Sequence, residues 1–205
     1  MTQASRRNVL LRLAGAVVGL VVVVALAITG GLMVGERTPA GPAGADDHAT
    51  APACNAALPQ DVIEAAVPSA VLDAADEGPL SDGTITTCAW SATEGPARAL
   101  TLAFSVYFTD SAAETTGEEL ATTRLERLTD ASGADGTESV DSLGDGVLVW
   151  PDSAIPGSAQ TVFRDKNLVV RVWYSGTRSD NDAPLPYTDA RDTVVDLAEQ
   201  LASSL

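Results

Sequence analysis

The chain has 205 residues, 45% of them hydrophobic, and a formal net charge of −16 at pH 7. From Cys54 to the end, 25 Asp and Glu stand against 8 Lys and Arg, so this part alone carries a formal charge of −17. Nucleic-acid binding depends on cationic groups that displace counterions from phosphates, so this composition excludes a nucleic-acid partner. About 150 residues remain after the N-terminal region, enough for one domain with a single core.

An apolar run near the N-terminus predicts a membrane anchor. Residues 13–34 are 22 positions without a charged side chain. A helix of that length spans roughly 33 Å, enough to cross the hydrocarbon core of a bilayer. Secretory signal sequences have shorter apolar runs, which favours a retained transmembrane anchor over a cleaved signal peptide, the alternative. Arginines before the run place residues 1–12 in the cytoplasm and the rest of the chain outside, by the positive-inside rule.

The segment after the anchor predicts a flexible linker, and the two cysteines predict a disulfide. Residues 35–53 are rich in Ala, Pro and Gly and hold no large apolar side chain, so they bury too little surface to offset the entropy of ordering. His48, the only histidine, lies in this linker. Cys54 and Cys88 are the only cysteines, and an even pair in an exported domain predicts a disulfide, with a metal site as the alternative.

The first half of domain 54–205 predicts a helix, two strands and a second helix. The first helix lies in LPQDVIEAAVP, with Pro59 in its first turn. SDGTITTCAWSA predicts a turn and a strand, and RALTLAFSVYF alternates strictly, which predicts a strand with one core face. Ser111 and Glu114 have the spacing of a capping box, so a helix is expected to begin there and to run to about Leu128.

The second half predicts a loop, three strands and a final helix. Residues 130–146 lack apolar periodicity and predict a long surface loop. Strands resume at GVLVW, and QTVFRDKNLVVRVWY predicts a hairpin with Asn167 in a left-handed conformation at its turn. Thr188 or Asp189 is expected to cap the last helix, which is apolar along one side.

The predicted order of elements is α-β-β-α-β-β-β-α. Strands joined as hairpins, with helices packed mainly on one face, indicate an α+β fold built on an antiparallel sheet. One transmembrane helix is expected to precede this fold.

Several motifs of the domain resemble those of a known family. They are C-x-x-x-LP (Cys54, Leu58, Pro59), C-A-W (Cys88, Ala89, Trp90), LGDG and VFRDKNLVVRVWY. Over most of residues 54–205 the chain is similar to actinobacterial cell-envelope membrane proteins and lipoproteins of unknown function. The resemblance implies a location in the cell envelope and a fold type, and it implies no activity.

The sequence assigns no catalytic, cofactor-binding or metal-binding residue. Nucleophilic catalysis by serine or cysteine generally uses a histidine base, and the only histidine lies in the predicted linker. No phosphate-binding loop is present, and the domain lacks the thiolates and imidazoles that zinc needs. Paired carboxylates of the glycosidase type stay as the enzymatic alternative, because an acidic domain supplies many candidates.

Three aromatic side chains are the candidates for facing a ligand: Trp150, Trp173 and Tyr107. Aromatic residues at strand positions often belong to a core instead, so their burial distinguishes the two roles.

These observations predict a single-pass membrane protein whose extracytoplasmic domain is a non-enzymatic module for binding, sensing or scaffolding in the cell envelope. Its expected partners are the membrane, through the N-terminal anchor, and an unidentified envelope protein or wall component. A carboxylate-dependent envelope hydrolase and an accessory subunit of a membrane complex are the alternatives.

Overall fold

A seven-stranded antiparallel sheet organises the described part of the chain. The computed structural model describes Gly41 and residues 44–132, 137–143 and 147–205. The strands are β1 (Ala70–Leu80), β2 (Gly83–Ala92), β3 (Arg98–Tyr107), β4 (Glu138–Ser139), β5 (Leu148–Trp150), β6 (Ser158–Asp165) and β7 (Leu168–Gly176). Their order in the sheet is β1-β2-β3-β7-β6-β5-β4, and neighbouring strands are antiparallel throughout. The predicted α+β fold with an antiparallel sheet is confirmed.

The described helices are α1 (Cys54–Ala57), α2 (Gln60–Ala66), α3 (Gly117–Ser132) and α4 (Tyr187–Ser204), with a short 3-10 helix at Asp141–Leu143. Within the described residues, no helix combines the length and apolar character needed to cross a membrane. The predicted cytoplasmic segment 1–12 and anchor 13–34 lie outside the described residues, so they stay predictions.

The main core lies on one face of the sheet, between the strands and helices α1, α2 and α4. The alternating side chains of β3 that the sequence assigned to a core are fully buried there, from Leu100 to Val106. Helix α4 buries one side of its surface against this face, through Ala190, Val194, Leu197, Ala198 and Leu201. The apolar stripe therefore forms the predicted contact with the sheet.

The predicted disulfide between Cys54 and Cys88 is confirmed and lies in this core. The two sulfur atoms are 1.99 Å apart and the Cα atoms 5.5 Å apart. Both cysteines are buried, close to the core residue Trp90. The bond fastens α1, at the start of the domain, to β2.

Helix α3 packs on the opposite face of the sheet, where it forms a second, smaller core. Ala121 of α3 is fully buried against Trp150, Val162 and Val169, and Leu125 and Leu128 pack beside them. The expectation that helices lie mainly on one face thus holds for three of the four described helices. Helix α3 is the exception because its own apolar stripe covers a second apolar patch of the sheet.

The predicted start of helix α3 was wrong, because a turn occupies the predicted capping box. The Asp110 carboxylate accepts hydrogen bonds from the backbone N–H groups of Ala112 (2.9 Å) and Ala113 (3.1 Å), and Glu114 has a positive φ of 55°. These bonds hold the backbone in a turn instead of a helix. The helix begins at Gly117 and continues to Ser132, beyond the predicted end at Leu128.

A reciprocal capping box is present five residues later, at Thr116 and Glu119. The Glu119 N–H donates to the Thr116 hydroxyl oxygen (3.2 Å), and the Glu119 carboxylate accepts the Thr116 backbone N–H (2.8 Å) and hydroxyl (3.0 Å). These hydrogen bonds to the charged form lower the pKa of Glu119. The pair satisfies amides at the helix start that have no partner within the helix.

Replacing Thr116 by alanine is expected to lower the free energy of unfolding by about 1 kcal/mol, because the cap is lost. Ser111→Ala is the matched control, since Ser111 is exposed and stands at the wrongly predicted cap. That control should stay within about 0.5 kcal/mol of the parent. Urea unfolding of both variants measures the difference, and a larger loss for Ser111→Ala would contradict the assignment.

Two strands and a buried valine lie where the sequence predicted none. Strand β1 was missed because most of its side chains are exposed and its Asp, Gly and Pro residues disfavour strands, yet it pairs along its length with β2. The predicted loop 130–146 contains β4, the 3-10 helix and Val140, which is buried in the main core. Glu138 also pairs with Arg191 of α4 at 2.9 Å. Residues 133–136 and 144–146 of this loop lie outside the described part.

The hairpin of β6 and β7 is confirmed, but its left-handed residue is Lys166 and not Asn167. Lys166 has a φ of 53° and is exposed, whereas Asn167 is fully buried. The Asn167 side chain is held by tertiary hydrogen bonds. Its Nδ2 donates to the carbonyl oxygens of Tyr107 (2.9 Å) and His48 (3.0 Å), and its Oδ1 accepts the His48 backbone N–H (2.7 Å).

Part of the predicted linker contacts the domain through this hairpin. Besides its backbone bonds to Asn167, His48 places Nε2 2.7 Å from Oδ2 of Asp165. The limits of the linker, 35–53, stay a prediction, but its residue His48 is bound to the turn between β6 and β7.

Candidate functional site

The three candidate aromatics lie on the face of the sheet that carries α3, but they differ in burial. Trp150 is buried beneath α3 in the second core, so its ring packs against protein. Tyr107 is partly buried at the edge of the same core. Trp173 is partly exposed and belongs to neither core of the described residues. Of the three, Trp173 is therefore the partly exposed side chain that does not pack in a core.

Trp173 lies in a row of residues that crosses five strands on this face. The register pairs Trp150 with Gln160, Gln160 with Trp173, Trp173 with Thr101, and Thr101 with Ala89. Directly paired residues of antiparallel strands point to the same side. Trp173 thus stands between the half of the face that α3 covers and the half formed by β2 and β3.

The half of this face over β2 and β3 is floored by side chains that are small except for Ile85 and that are partly exposed: Ile85, Thr87, Ala89, Ser91, Thr101, Ala103 and Ser105. We call this surface, together with Arg171 and Trp173, the open face. Helix α3 lies beside it, over β3, β7 and β6. These floor residues are partly exposed, so the open face is accessible to a ligand beside helix α3.

Arg171 brings a positive charge to the open face. It precedes Trp173 by two residues on β7, so both side chains point to the same side and their Cα atoms are about 7 Å apart. The Arg171 guanidinium donates from Nε (3.1 Å) and from Nη2 to Oε1 of the buried Gln160. Part of the Arg171 surface is exposed although its guanidinium is partly desolvated, and no carboxylate of the described residues forms an ion pair with it.

Arg124 of helix α3 adds a second positive charge beside the first. It is exposed and, within the described chain, forms no ion pair with a carboxylate. Its guanidinium interacts with the Tyr107 hydroxyl, which also meets the Ser105 side chain. Arg124 lies one helical turn from Ala121 and Leu128, which face the sheet, so it stands at the rim of the covered area.

Burial and charge shift the pKa values of these groups. Desolvation of the guanidinium lowers the pKa of Arg171, the Asp152 carboxylate raises it, and the like charge of Arg124 lowers it. Burial raises the pKa of the Tyr107 hydroxyl, and the charge of Arg124 acts in the opposite direction. Since a guanidinium stays protonated in proteins, the open face and the adjacent rim of helix α3 carry one positive charge each on a strongly acidic domain.

Sequence reasoning missed both arginines. A usable signal was present for Arg171, because it interrupts the apolar run LVVRVWY at a position on the same side as Trp173. No comparable signal marked Arg124, which is one of several charged residues on α3.

A small cavity lies on the other face, next to the disulfide. It has a volume of about 150 Å³ and is lined by Cys54, Asn55, Leu58, Gln60, Ile63, Ala70, Leu72 and Trp90. Small-molecule sites usually have volumes of roughly 300–1,000 Å³. The lining has two amides and no carboxyl group, so this cavity lacks the acid pair that the hydrolase alternative requires.

Val71 and Leu72 are the exposed large apolar residues of the described chain, with 47% and 41% of their surface accessible. They lie on the edge strand β1 near Asp73, at a bulge between Leu72 and Ala74. Acidic side chains and bulges are common at free sheet edges, where they oppose pairing with another strand. These two residues alone do not form the broad apolar patch that the subunit alternative requires.

The described residues contain no group of three or more His, Cys, Asp or Glu arranged to hold a metal ion. The chain matches no protein-family model, no curated protein and no solved structure.

Proposed function

We propose that this chain is a membrane-anchored binding module of the cell envelope, which holds a wall component on its open face without chemical turnover. The predicted anchor 13–34 fastens it to the cytoplasmic membrane, and the domain 54–205 lies outside. The observation that carries the proposal is the open face itself, where the partly exposed Trp173 stands beside Arg171 above a floor of short side chains.

The chemistry of this surface supports binding rather than catalysis. An indole ring offers a flat apolar face, while hydroxyl, amide and guanidinium groups around it supply directed hydrogen bonds. Ligand sites commonly combine such an aromatic surface with a few polar groups. The disulfide supports an oxidising location outside the cytoplasm, since such bonds persist mainly in exported proteins.

Replacing Trp173 by alanine is expected to weaken binding of the full-length chain to purified cell-wall sacculi by about tenfold, because the stacking surface is lost. The measurement is co-sedimentation of the chain, kept in detergent, with a series of sacculus concentrations. Leu72→Ala is the matched control, because it removes an exposed apolar side chain from the edge strand β1. This control should bind within twofold of the parent.

Three outcomes would contradict the proposal. Unchanged binding by Trp173→Ala would remove the open face as the ligand surface. An equal loss in Leu72→Ala would indicate a partner on the edge strand instead, in line with the subunit alternative. Release of soluble wall fragments by the purified chain would favour the hydrolase alternative.

A further inference from the structure

We propose that Arg171 and Arg124 together bind one carboxylate group of an acidic saccharide whose ring stacks on Trp173. The inference rests on the proposed function and names the ligand class of the same site: a largely uncharged saccharide with an isolated carboxylate. The carboxylate would lie between the guanidinium groups of Arg171 and Arg124, at the margin of the area that α3 covers.

The hydrogen-bonding capacity of Arg171 supports this assignment. A guanidinium has five N–H donors, and the recorded bonds of Arg171 to Gln160 use only Nε and Nη2. Gln160 is buried and fixes the plane of the guanidinium, so the remaining donors are held in place before a ligand arrives. Guanidinium groups form their strongest hydrogen bonds with carboxylates and phosphates, often through two parallel bonds.

The charges around the site favour an anion with a single charge over a polyanion. The Asp152 carboxylate attracts Arg171, and Arg124 repels it more weakly, so an anion between the two guanidinium groups would relieve the repulsion between them. The rest of the domain, with 25 acidic and 8 basic residues from Cys54 onward, repels an extended polyanion. A ligand with one local carboxylate gains the attraction of the arginines without the wider repulsion.

The neighbours of the arginines favour a saccharide over a peptide. Trp173 is paired in register with the partly exposed Thr101, whose hydroxyl matches a sugar hydroxyl group, while Gln160 on its other side is buried and bonded to Arg171. An extended peptide would instead gain most by pairing with a free strand edge, and this site lies on the face of interior strands.

The test compares two sugars that differ by one carboxylate. N-acetylmuramic acid carries a lactyl carboxylate that N-acetylglucosamine lacks, and isothermal titration of the full-length chain in detergent measures both. We expect N-acetylmuramic acid to bind at least about tenfold more tightly. Arg171→Gln should remove this preference and leave binding of N-acetylglucosamine within twofold, whereas Trp173→Ala should weaken both sugars.

Three further measurements test the interpretation. Arg178→Gln is the matched control, because this exposed arginine is paired with Asp180 (3.3 Å) outside the open face, and it should keep the full preference. Arg124→Gln should reduce the preference without altering the strand that holds Arg171, which covers the case in which Arg171→Gln unfolds. Inorganic phosphate should bind less tightly than N-acetylmuramic acid, because it cannot contact Trp173.

Equal affinity for the two sugars, tighter binding of phosphate, or a full preference in both arginine variants would overturn the inference. Loss of sacculus binding in Trp173→Ala together with equal sugar affinities would refute the carboxylate assignment and leave the proposed function in place. Unchanged sacculus binding in Trp173→Ala would refute the proposed function as well.

Discussion

Asn167→Ala is expected to lower the free energy of unfolding by about 3 kcal/mol, since three hydrogen bonds of a buried side chain are lost at once. The side chain is fully buried and bonds to the backbone of both Tyr107 and His48. Its loss leaves the Tyr107 carbonyl oxygen without that donor inside the protein, which costs more than the loss of a surface contact. Urea unfolding followed by tryptophan fluorescence measures the change.

Lys166→Ala is the matched control for this prediction. Lys166 is the exposed neighbour in the same turn, and its replacement should change stability by less than about 0.5 kcal/mol. A second readout is proteolysis of residues 44–53, which should accelerate in Asn167→Ala because His48 is released. If Asn167→Ala were as stable as Lys166→Ala, the proposal that the Asn167 side chain stabilises the contact of β3 and His48 with the hairpin turn would be wrong.

Loss of the disulfide is expected to lower the free energy of unfolding by roughly 3–4 kcal/mol, mainly because the unfolded chain gains freedom. The bond closes a loop across a sequence separation of 34. Cys54→Ala/Cys88→Ala should therefore unfold at a lower urea concentration than the parent. Removing both sulfurs also enlarges the cavity beside Trp90, which adds to the loss.

Reduction of the parent gives an independent test of the same prediction. Dithiothreitol should shift the unfolding midpoint of the parent towards that of the double alanine variant and leave the variant itself unchanged. A parent whose midpoint does not respond to complete reduction would show that the bond contributes little to stability. Counting free thiols by alkylation confirms that reduction is complete.

Of the two features with the largest expected effects on stability, the disulfide can be predicted from the sequence and the role of Asn167 cannot. Two cysteines in a domain that is predicted to be exported indicate a disulfide without any knowledge of the fold, because the sequence holds no third cysteine. The role of Asn167 depends on residues 60 and 119 positions away, which only the folded chain brings together. Local pattern instead suggested a left-handed turn residue, and that conformation belongs to Lys166.

In helix α3, too, the sequence predicts one feature and tertiary contacts decide another. Its existence was predicted, but two capping boxes compete within ten residues, and local spacing does not separate Ser111 and Glu114 from Thr116 and Glu119. A tertiary contact decides at which of the two capping boxes the helix begins. Gly117 packs so closely on β3 that a Cβ there would collide with the Tyr107 carbonyl oxygen, and this close approach suits the helix start at glycine.

The amino-acid sequence by itself determined the antiparallel α+β class, the disulfide, the β6–β7 hairpin and the core side of β3. These features follow from periodicity and composition, which act over a few residues at a time. Only the tertiary structure placed α3 on the second face, paired β1 as an edge strand, bound His48 to the hairpin and brought Arg124 beside Arg171. Such arrangements depend on contacts between distant segments, whose energies no local pattern encodes.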